Sequence, residues 1–573
     1  MGDRPAGAGP LARAATKLEA LLAALLAGAA ASPARAMAVA GLVALLATLP
    51  GLTSLPVTDR DEARFAQATK QMHETGDLVD IRFQDAPRWK KPVGIYWLQA
   101  AATLPFGGAE ASIWAYRLPS LLGAVLGAMA TLWAARALLA PPAALLAGLA
   151  LGTTVLVAAE STIAKTDAAL MLTAVLALGA LLRVLVGQAG RGTWLVFWLA
   201  MAAAILLKGP IVPLIALLAL GAVALADRRV PSLAALRPLP GIGLTVLLVA
   251  PWLIAIWIIS DGRFFAESVG EDLLGKVAEG KEKHWGPPGL YSAIVWGTFW
   301  PWAAFLPGAL AAAWAARSSR VVLLLAAWVL PFWLVVELVP TKLPHYVLPL
   351  YPALAILVAW WITEGAPPEA RWMRRLCAVL AALPGVVLGL AAVALPVALE
   401  GRVLPGAALF GLVGAAFAVI AGRAALDGRL RAQAAASIPA ALAIYMGVLQ
   451  FGLPGLQTAF ASPRVVALAE PWRACAEGPL VSLGYREPSL VFLAGTETRL
   501  ATPEEAAEAL AASPGTLLLL ERRWADRLAE ARGPDAPALL PRGEARYFNY
   551  NRGKPETATL LTVDDPRWAP CTP

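Results

Sequence analysis

The chain has 573 residues, 59% of them hydrophobic and only 15% charged, with a mean hydropathy of +0.65. Soluble domains carry about 25% charged residues, so a water-soluble globular fold is excluded and most of the chain belongs in lipid. The net charge of +8 would suggest nucleic acid in a soluble protein, but here the basic residues sit in short loops between apolar runs, where they orient helices; three cysteines without a CxxC pair exclude a thiolate metal cluster.

In chain order, Met1–Arg35 is Ala-rich and weakly amphipathic, with Arg4, Arg13, Lys17 and Arg35. It reads as a cytoplasmic lead-in over residues 1–36, with no convincing cleavable signal. Thirteen apolar segments follow, each near the length that spans a bilayer: 37–55, 116–138, 141–159, 167–187, 193–207, 210–226, 240–259, 291–314, 321–339, 346–363, 376–398, 404–422 and 435–455. The fifth and sixth are short and are parted only by Lys208-Gly209-Pro210. The many Trp residues suit membrane interfaces.

With the N-terminus inside, one set of short loops holds Arg136, Arg183, Arg191, Arg228, Arg229, Arg237, Arg317, Arg320, Arg371, Arg374, Arg375, Arg423, Arg429 and Arg431. The opposite set holds only Lys165, Lys208, Lys342 and Arg402. Positive loops stay inside, so the membrane domain is expected over 37–456, with outer loops at 56–113 and 260–290 and an outer tail at 457–573. In the tail, VVALA, GPLVSLGY, PSLVFLAG and TLLLLERRW read as strands, and TPEEAAEALAA as a helix capped by Thr502. The expected fold is an α-helical polytopic membrane protein of about thirteen spans with a small C-terminal α/β periplasmic domain.

The unusual chemistry lies on the outer side. The loop TDRDEARFAQATKQMHETGDLVDIRFQDAPRWKKPVGIYW packs Asp59, Asp61, Glu62, Arg64, Lys90 and Lys91 beside lipid, where charge is expensive and marks function. Thr58-x-x-Asp61 has the form of a capping box opening a helix. On that helix Asp61, Arg64, Phe65, Ala68 and Met72 share a face. The bland alternative is that Asp61 only caps the helix and pairs with Arg64. A carboxylate and two cations around one cleft would instead seat a phosphate beside a nucleophile. Asp167 enters a helix near its positive end, Lys208 stands at a sharp turn, and Lys342, His345 and Tyr346 gather at a helix entrance. Each alone could be a snorkelling lysine or interfacial aromatic; together they suit a shared anionic ligand. The 260–290 loop, with His284 and Trp285, reads as a flap. His73, His284 and His345 have no ligand spacing, so no metal site is expected, and no cofactor.

The motifs DEARFAQ, KPVGIYW, TDAALM, LLKGP, HWGPP with Pro301-Trp302, and KLPHYVLPLYPALA occur in one order over about residues 37–365. In that order they resemble the lipid-linked-sugar glycosyltransferases: the aminoarabinose transferases that modify lipid A and the related dolichyl-phosphate-mannose protein mannosyltransferases. The resemblance implies a GT-C fold in the bacterial inner membrane with a periplasmic active site. It implies Asp61 as the catalytic carboxylate, and Arg64, Lys91 and Tyr346 around the polyprenyl phosphate; Lys208, Lys342 and His345 join that donor set from the loop positions above. Glu62, Lys90, Asp167 and His284 are candidate sugar or acceptor contacts. Lys90 departs from the family, where an acidic residue often precedes the K-P lysine, and favours an anionic sugar or acceptor. The expected activity is sugar transfer with inversion from a polyprenyl-phosphate donor to a lipid A or lipopolysaccharide-type acceptor, by a monomer that binds no nucleic acid. A protein O-mannosyltransferase-like enzyme and, from another class, a lipid flippase or transporter are the alternatives; no repeated halves of the transporter kind are visible. In an oxidising outer tail, Cys475 and Cys571 are expected to pair.

Overall fold

A computed structural model describes residues 10–268, 270, 275, 285–366, 368, 370–549 and 552–571. Among the described residues, eight helices are long and apolar enough to cross a membrane, or ten if two bent pairs, Pro141–Gly152 with Val155–Ser161 and Leu290–Thr298 with Trp302–Ala315, each make one span. Pro33–Thr48, Thr193–Lys208 and Ile211–Asp227 are shorter apolar helices. Their outward faces stay greasy: Leu239, Leu247, Ile254 and Trp257 of the helix Pro238–Ile259 lie exposed, as suits hydrocarbon and not water. Small residues let the helices close up. A Cβ on Gly123 would lie 2.7 Å from the backbone of Ala168, and one on Gly389 would lie 2.4 Å from the Gly411 carbonyl. The lead-in contains the helix Pro10–Ala30, which packs against Leu430–Tyr445 and is tied by Arg429 Nη2 to Glu19 Oε2 at 2.5 Å.

The loop 56–113 is a folded structure. The helix Asp61–Thr75 leads through a two-residue hairpin, β1 (Arg82–Phe83) and β2 (Ala86–Pro87), to the helix Gly94–Thr103. Its anchor corrects two expectations. The Thr58 N–H and hydroxyl both donate to Glu62 Oε2, at 2.7 and 2.9 Å, so the box closes on Glu62 and not on Asp61. Nor does Glu62 face a sugar. It is fully buried against Arg117, with Nε to Oε1 at 2.7 Å, and accepts the Ala164 N–H at 2.9 Å. Arg117 also donates to the carbonyls of Leu52, Leu55 and Pro56. A buried pair so fully hydrogen-bonded offsets its desolvation and pins the loop to the membrane helix Ile113–Ala135.

The tail holds a five-stranded sheet in the order β4-β3-β5-β7-β6. Here β3 is Val481–Leu483, β4 Arg499–Ala501, β5 Leu518–Glu521, β6 Leu539–Asn549 and β7 Lys554–Val563. β3 runs parallel to β4 and β5, while β7 is antiparallel to β5 and β6. Two of the four runs expected as strands are helical: VVALA lies in Ala461–Ala469 and PSLVFLA forms Pro488–Ala494. Alanine, and proline at a first helical position, favour helix there. Thr502 opens the helix Pro503–Ala512 with a reciprocal bond to Glu505, and Cys475 is bonded to Cys571.

The tail docks on the first-loop helix. Asp59 Oδ1 accepts the Ser489 N–H at 3.2 Å, and Gln67 Nε2 donates to Thr496 Oγ1 at 2.7 Å. Gln84 Nε2 donates to the carbonyls of Thr496 and Thr498, and Phe492 packs edge-on against Tyr116. A polar seam with one aromatic plug thus joins segments more than 400 residues apart.

Candidate active site

Between the first loop, the helix entrance at Leu343–His345 and the tail lies a cleft of about 930 Å³. Asp61 is exposed in it as the first residue of its helix, and half-buried Arg64 stands nearly one turn on. Arg60 takes a left-handed φ of +68° just before the helix. That is an unfavoured conformation for a side chain bearing Cβ, and such residues gather at functional sites. The turn puts Asp59, Arg60 and Asp61 on the cleft wall, while Phe65, Ala68 and Met72 go into the core. Lys90 is exposed on the wall, and Lys91 lies half-buried next to it in sequence.

Beneath the wall is a buried charge cluster. Lys165 Nζ is 2.9 Å from Glu160 Oε2 and 3.7 Å from Asp167 Oδ2, and Lys208 Nζ is 2.5 Å from Asp167 Oδ1. His345 Nδ1 is 3.2 Å from Lys165 Nζ, and its Nε2 is 3.7 Å from Asp167 Oδ1. Burial alone would push Lys165 down, but the Glu160 and Asp167 carboxylates more than offset it and hold the ammonium above the usual lysine range. The ligating atoms of Glu160, Asp167 and His345 lie within 4.8 Å of one another, a donor set a divalent cation could take. Two ammonium groups already match the two carboxylates there, so the set fits a self-neutralised network better than a resident metal. Lys208 Nζ also stands 5.4 Å from the centre of the Tyr346 ring, which keeps Lys208, Tyr346, His345 and Asp167 in one neighbourhood.

Lys342 is a correction: its Nζ donates to the Val336 and Glu337 carbonyls, at 2.7 and 2.6 Å, and sits over the Tyr291 ring. It finishes the helix Arg320–Leu338 and is not on the cleft wall. Asp167, expected at the sugar, is buried on Lys208. His73 bonds Thr103 away from the cluster, and His284 lies outside the described residues. Glu160 was missed, although an acidic residue inside an apolar run is itself the signal that would have found it. Also missed was the tail's wall, Tyr485 to Pro488 with Arg523, Asn549 and Arg552. Burial raises both the Asp59 and Glu487 carboxyls, and the Asp59 charge raises Glu487 further.

A family model described as dolichyl-phosphate-mannose-protein mannosyltransferase matches residues 90–257. An undecaprenyl phosphate-alpha-4-amino-4-deoxy-L-arabinose arabinosyl transferase of Pectobacterium carotovorum is 31% identical over 360 residues, 62% of this chain and 64% of its own length. The transferase of that name from Edwardsiella ictaluri is 30% identical over 363 residues with the same coverage. The matched region thus spans just under two thirds of these relatives. The crystal structure of ArnT from Cupriavidus metallidurans bound to undecaprenyl phosphate superposes with a TM-score of 0.71 at 19% identity, covering 91% of this chain and 97% of the other. The fold is therefore shared, and the chain resembles the aminoarabinose transferase and protein mannosyltransferase-like family in both sequence and architecture.

Proposed function

We infer that the chain is a member of that family and is a membrane glycosyltransferase. It moves a sugar from a polyprenyl phosphate to a lipid A or lipopolysaccharide-type acceptor at the periplasmic face of the inner membrane. The observation that carries this is Asp61 exposed in a cation-lined cleft with Arg64 beside it on the same helix. Arg64 and Lys91 hold the donor phosphate, with Tyr346, Lys208 and His345 behind them. An acceptor oxygen attacks the anomeric carbon from the Asp61 side, the bond from that carbon to the phosphate oxygen breaks, and the electron pair leaves on the polyprenyl phosphate. The configuration inverts. Cations at the departing phosphate stabilise the charge that develops. With a hydroxyl acceptor Asp61 takes the proton; with an ionised phosphate acceptor it only orients.

The ten candidate spans and three short apolar helices together support thirteen crossings, with the tail outside. The domain division at 36 and 456 follows from the same crossings. The match to the mannosyltransferase family model favours a second acceptor, a Ser or Thr hydroxyl of a protein. Incubation of purified protein with synthetic undecaprenyl-phosphate-sugar and either lipid A or a Ser/Thr peptide, read by mass spectrometry, tests both. Transfer to the lipid supports the first, transfer to the peptide supports the second, and a donor whose sugar reaches neither acceptor rejects both.

A further inference from the structure

The cleft carries more positive charge than a single donor phosphate calls for. Seven lysine and arginine side chains line it against four carboxylates. Three of the seven, Lys165, Arg523 and Arg552, also pair with Asp167, Glu521 and Glu556 behind the lining, whereas among the described residues Arg60 and Arg486 form no such pair. Two of the carboxylates, Asp59 and Glu487, face each other across the seam between loop and tail and are held toward the neutral form by burial. The cations divide by element. Arg60, Arg64, Lys90 and Lys165 come from the membrane-domain loops, while Arg486, Arg523 and Arg552 come from the tail and stand on the opposite wall.

The three tail arginines are held in place by their own neighbours. Arg486 Nη2 donates to the Ala501 carbonyl at 2.9 Å. Arg523 Nε bonds the fully buried Glu521 at 2.8 Å, and Arg552 Nη1 bonds Glu556 at 2.8 Å. A guanidinium has five donors, and each of these bonds uses only one or two. What remains is a planar, weakly hydrated fork of the kind that takes a phosphate by two parallel bonds. All three come from short turns beside strands: Arg486 after β3, Arg523 after β5, Arg552 between β6 and β7. The sheet thus fixes their spacing.

We infer that Arg486, Arg523 and Arg552 form the acceptor's anion subsite, and that the acceptor is a phosphorylated glycolipid headgroup held against the tail while its reacting oxygen faces Asp61. This rests on the transferase reading above and deepens it. The membrane-side cations hold the donor phosphate, the tail-side cations hold the acceptor phosphate, and the carboxylate at the helix start lies between the two walls.

The test is equilibrium binding by the full-length protein in nanodiscs, so it does not need turnover. The probes are a bis-phosphorylated acylated glucosamine disaccharide, its dephosphorylated counterpart, and undecaprenyl phosphate. Wild type is expected to prefer the phosphorylated disaccharide by about tenfold or more. The triple variant R486Q/R523Q/R552Q should lose that preference while its affinity for undecaprenyl phosphate stays within about twofold. The corresponding lysine variants should recover part of it, since charge returns without the fork. A wild type with no preference overturns the subsite, as does a triple variant that keeps the preference or that loses undecaprenyl phosphate binding along with it. Failure of the transferase reading shows separately: a protein with the expected binding pattern that transfers no sugar to any acceptor retains the subsite and loses the activity.

Discussion

At the scale of single residues, the proposed chemistry depends on Asp61. Asp61→Asn keeps the shape and, at an exposed position, should insert and fold normally. It should lower transfer by well over tenfold, more than about 1.4 kcal/mol in the barrier; activity within that margin in a single-turnover assay removes Asp61 from the reacting centre. Arg64→Ala and Lys91→Ala should each weaken undecaprenyl phosphate by roughly tenfold in a titration. Lys91→Arg should recover only part, because a planar fork does not replace a point charge. These residues were legible because charge beside lipid stands out in a sequence. Glu160 carries the same signal, an acid inside an apolar run, but was passed over because that run was read only for its length, and its partner Lys165 was read only as a loop cation. The tail arginines were invisible for another reason: nothing in local sequence tells that Arg486 will line the same cleft as Asp61.

At the scale of elements, the first-loop helix is held from both sides. Arg117→Met would leave the Glu62 carboxylate buried with no counter-charge, a change that costs about 3–5 kcal/mol. It should lower the thermal midpoint in detergent by far more than Arg64→Ala does; equal midpoints would mean that the pair does not anchor the loop. On the other side, Asp59 meets the tail with its carboxyl pushed up, mainly by burial. A carboxyl whose folded pKa is raised binds more protons folded than unfolded, so its penalty is absent below the unfolded value and complete above the raised one. The seam at Ser489 should therefore loosen as pH climbs above the ordinary carboxyl range of about 4, seen as faster amide exchange over 488–496. Asp59→Asn, which can still accept the Ser489 N–H, should flatten that slope, and an unchanged slope would reject the assignment. Apolar helices were easy to read because their pattern is one of length. Two of the tail's helices were mistaken for strands because short apolar runs have too few residues to show a period. The polar hairpin of β6 and β7 went unread because neither strand is an apolar run.

At the scale of the whole molecule, the loop cations follow one rule from end to end, so losing any single helix pair would not reverse the asymmetry. The disulfide provides a check on the proposed orientation. Cys475 and Cys571 are bonded, 96 residues apart, while Cys377 is buried and free. Closing a loop of that length is worth about 4–5 kcal/mol on chain-entropy grounds, and such bonds persist only in an oxidising compartment. Thiol labelling of denatured, unreduced protein from cells should find one reactive cysteine, Cys377. Three would reject both the bond in vivo and the outer placement of the tail.

The seam between Asp59 and Ser489 also has a consequence in time. Ser489 leaves the ribosome 430 residues after Asp59, when all of the membrane helices between them have been synthesised. In the proposed orientation the first loop, exported first, would wait with its charged turn uncovered until the tail is translocated, oxidised and folded against it. The cleft acquires its second wall last. On the proposed reading, a nascent chain stalled inside the membrane would carry the donor cations of the first loop and yet have no finished pocket in which to use them, so glycosyl transfer would be withheld until biogenesis is complete.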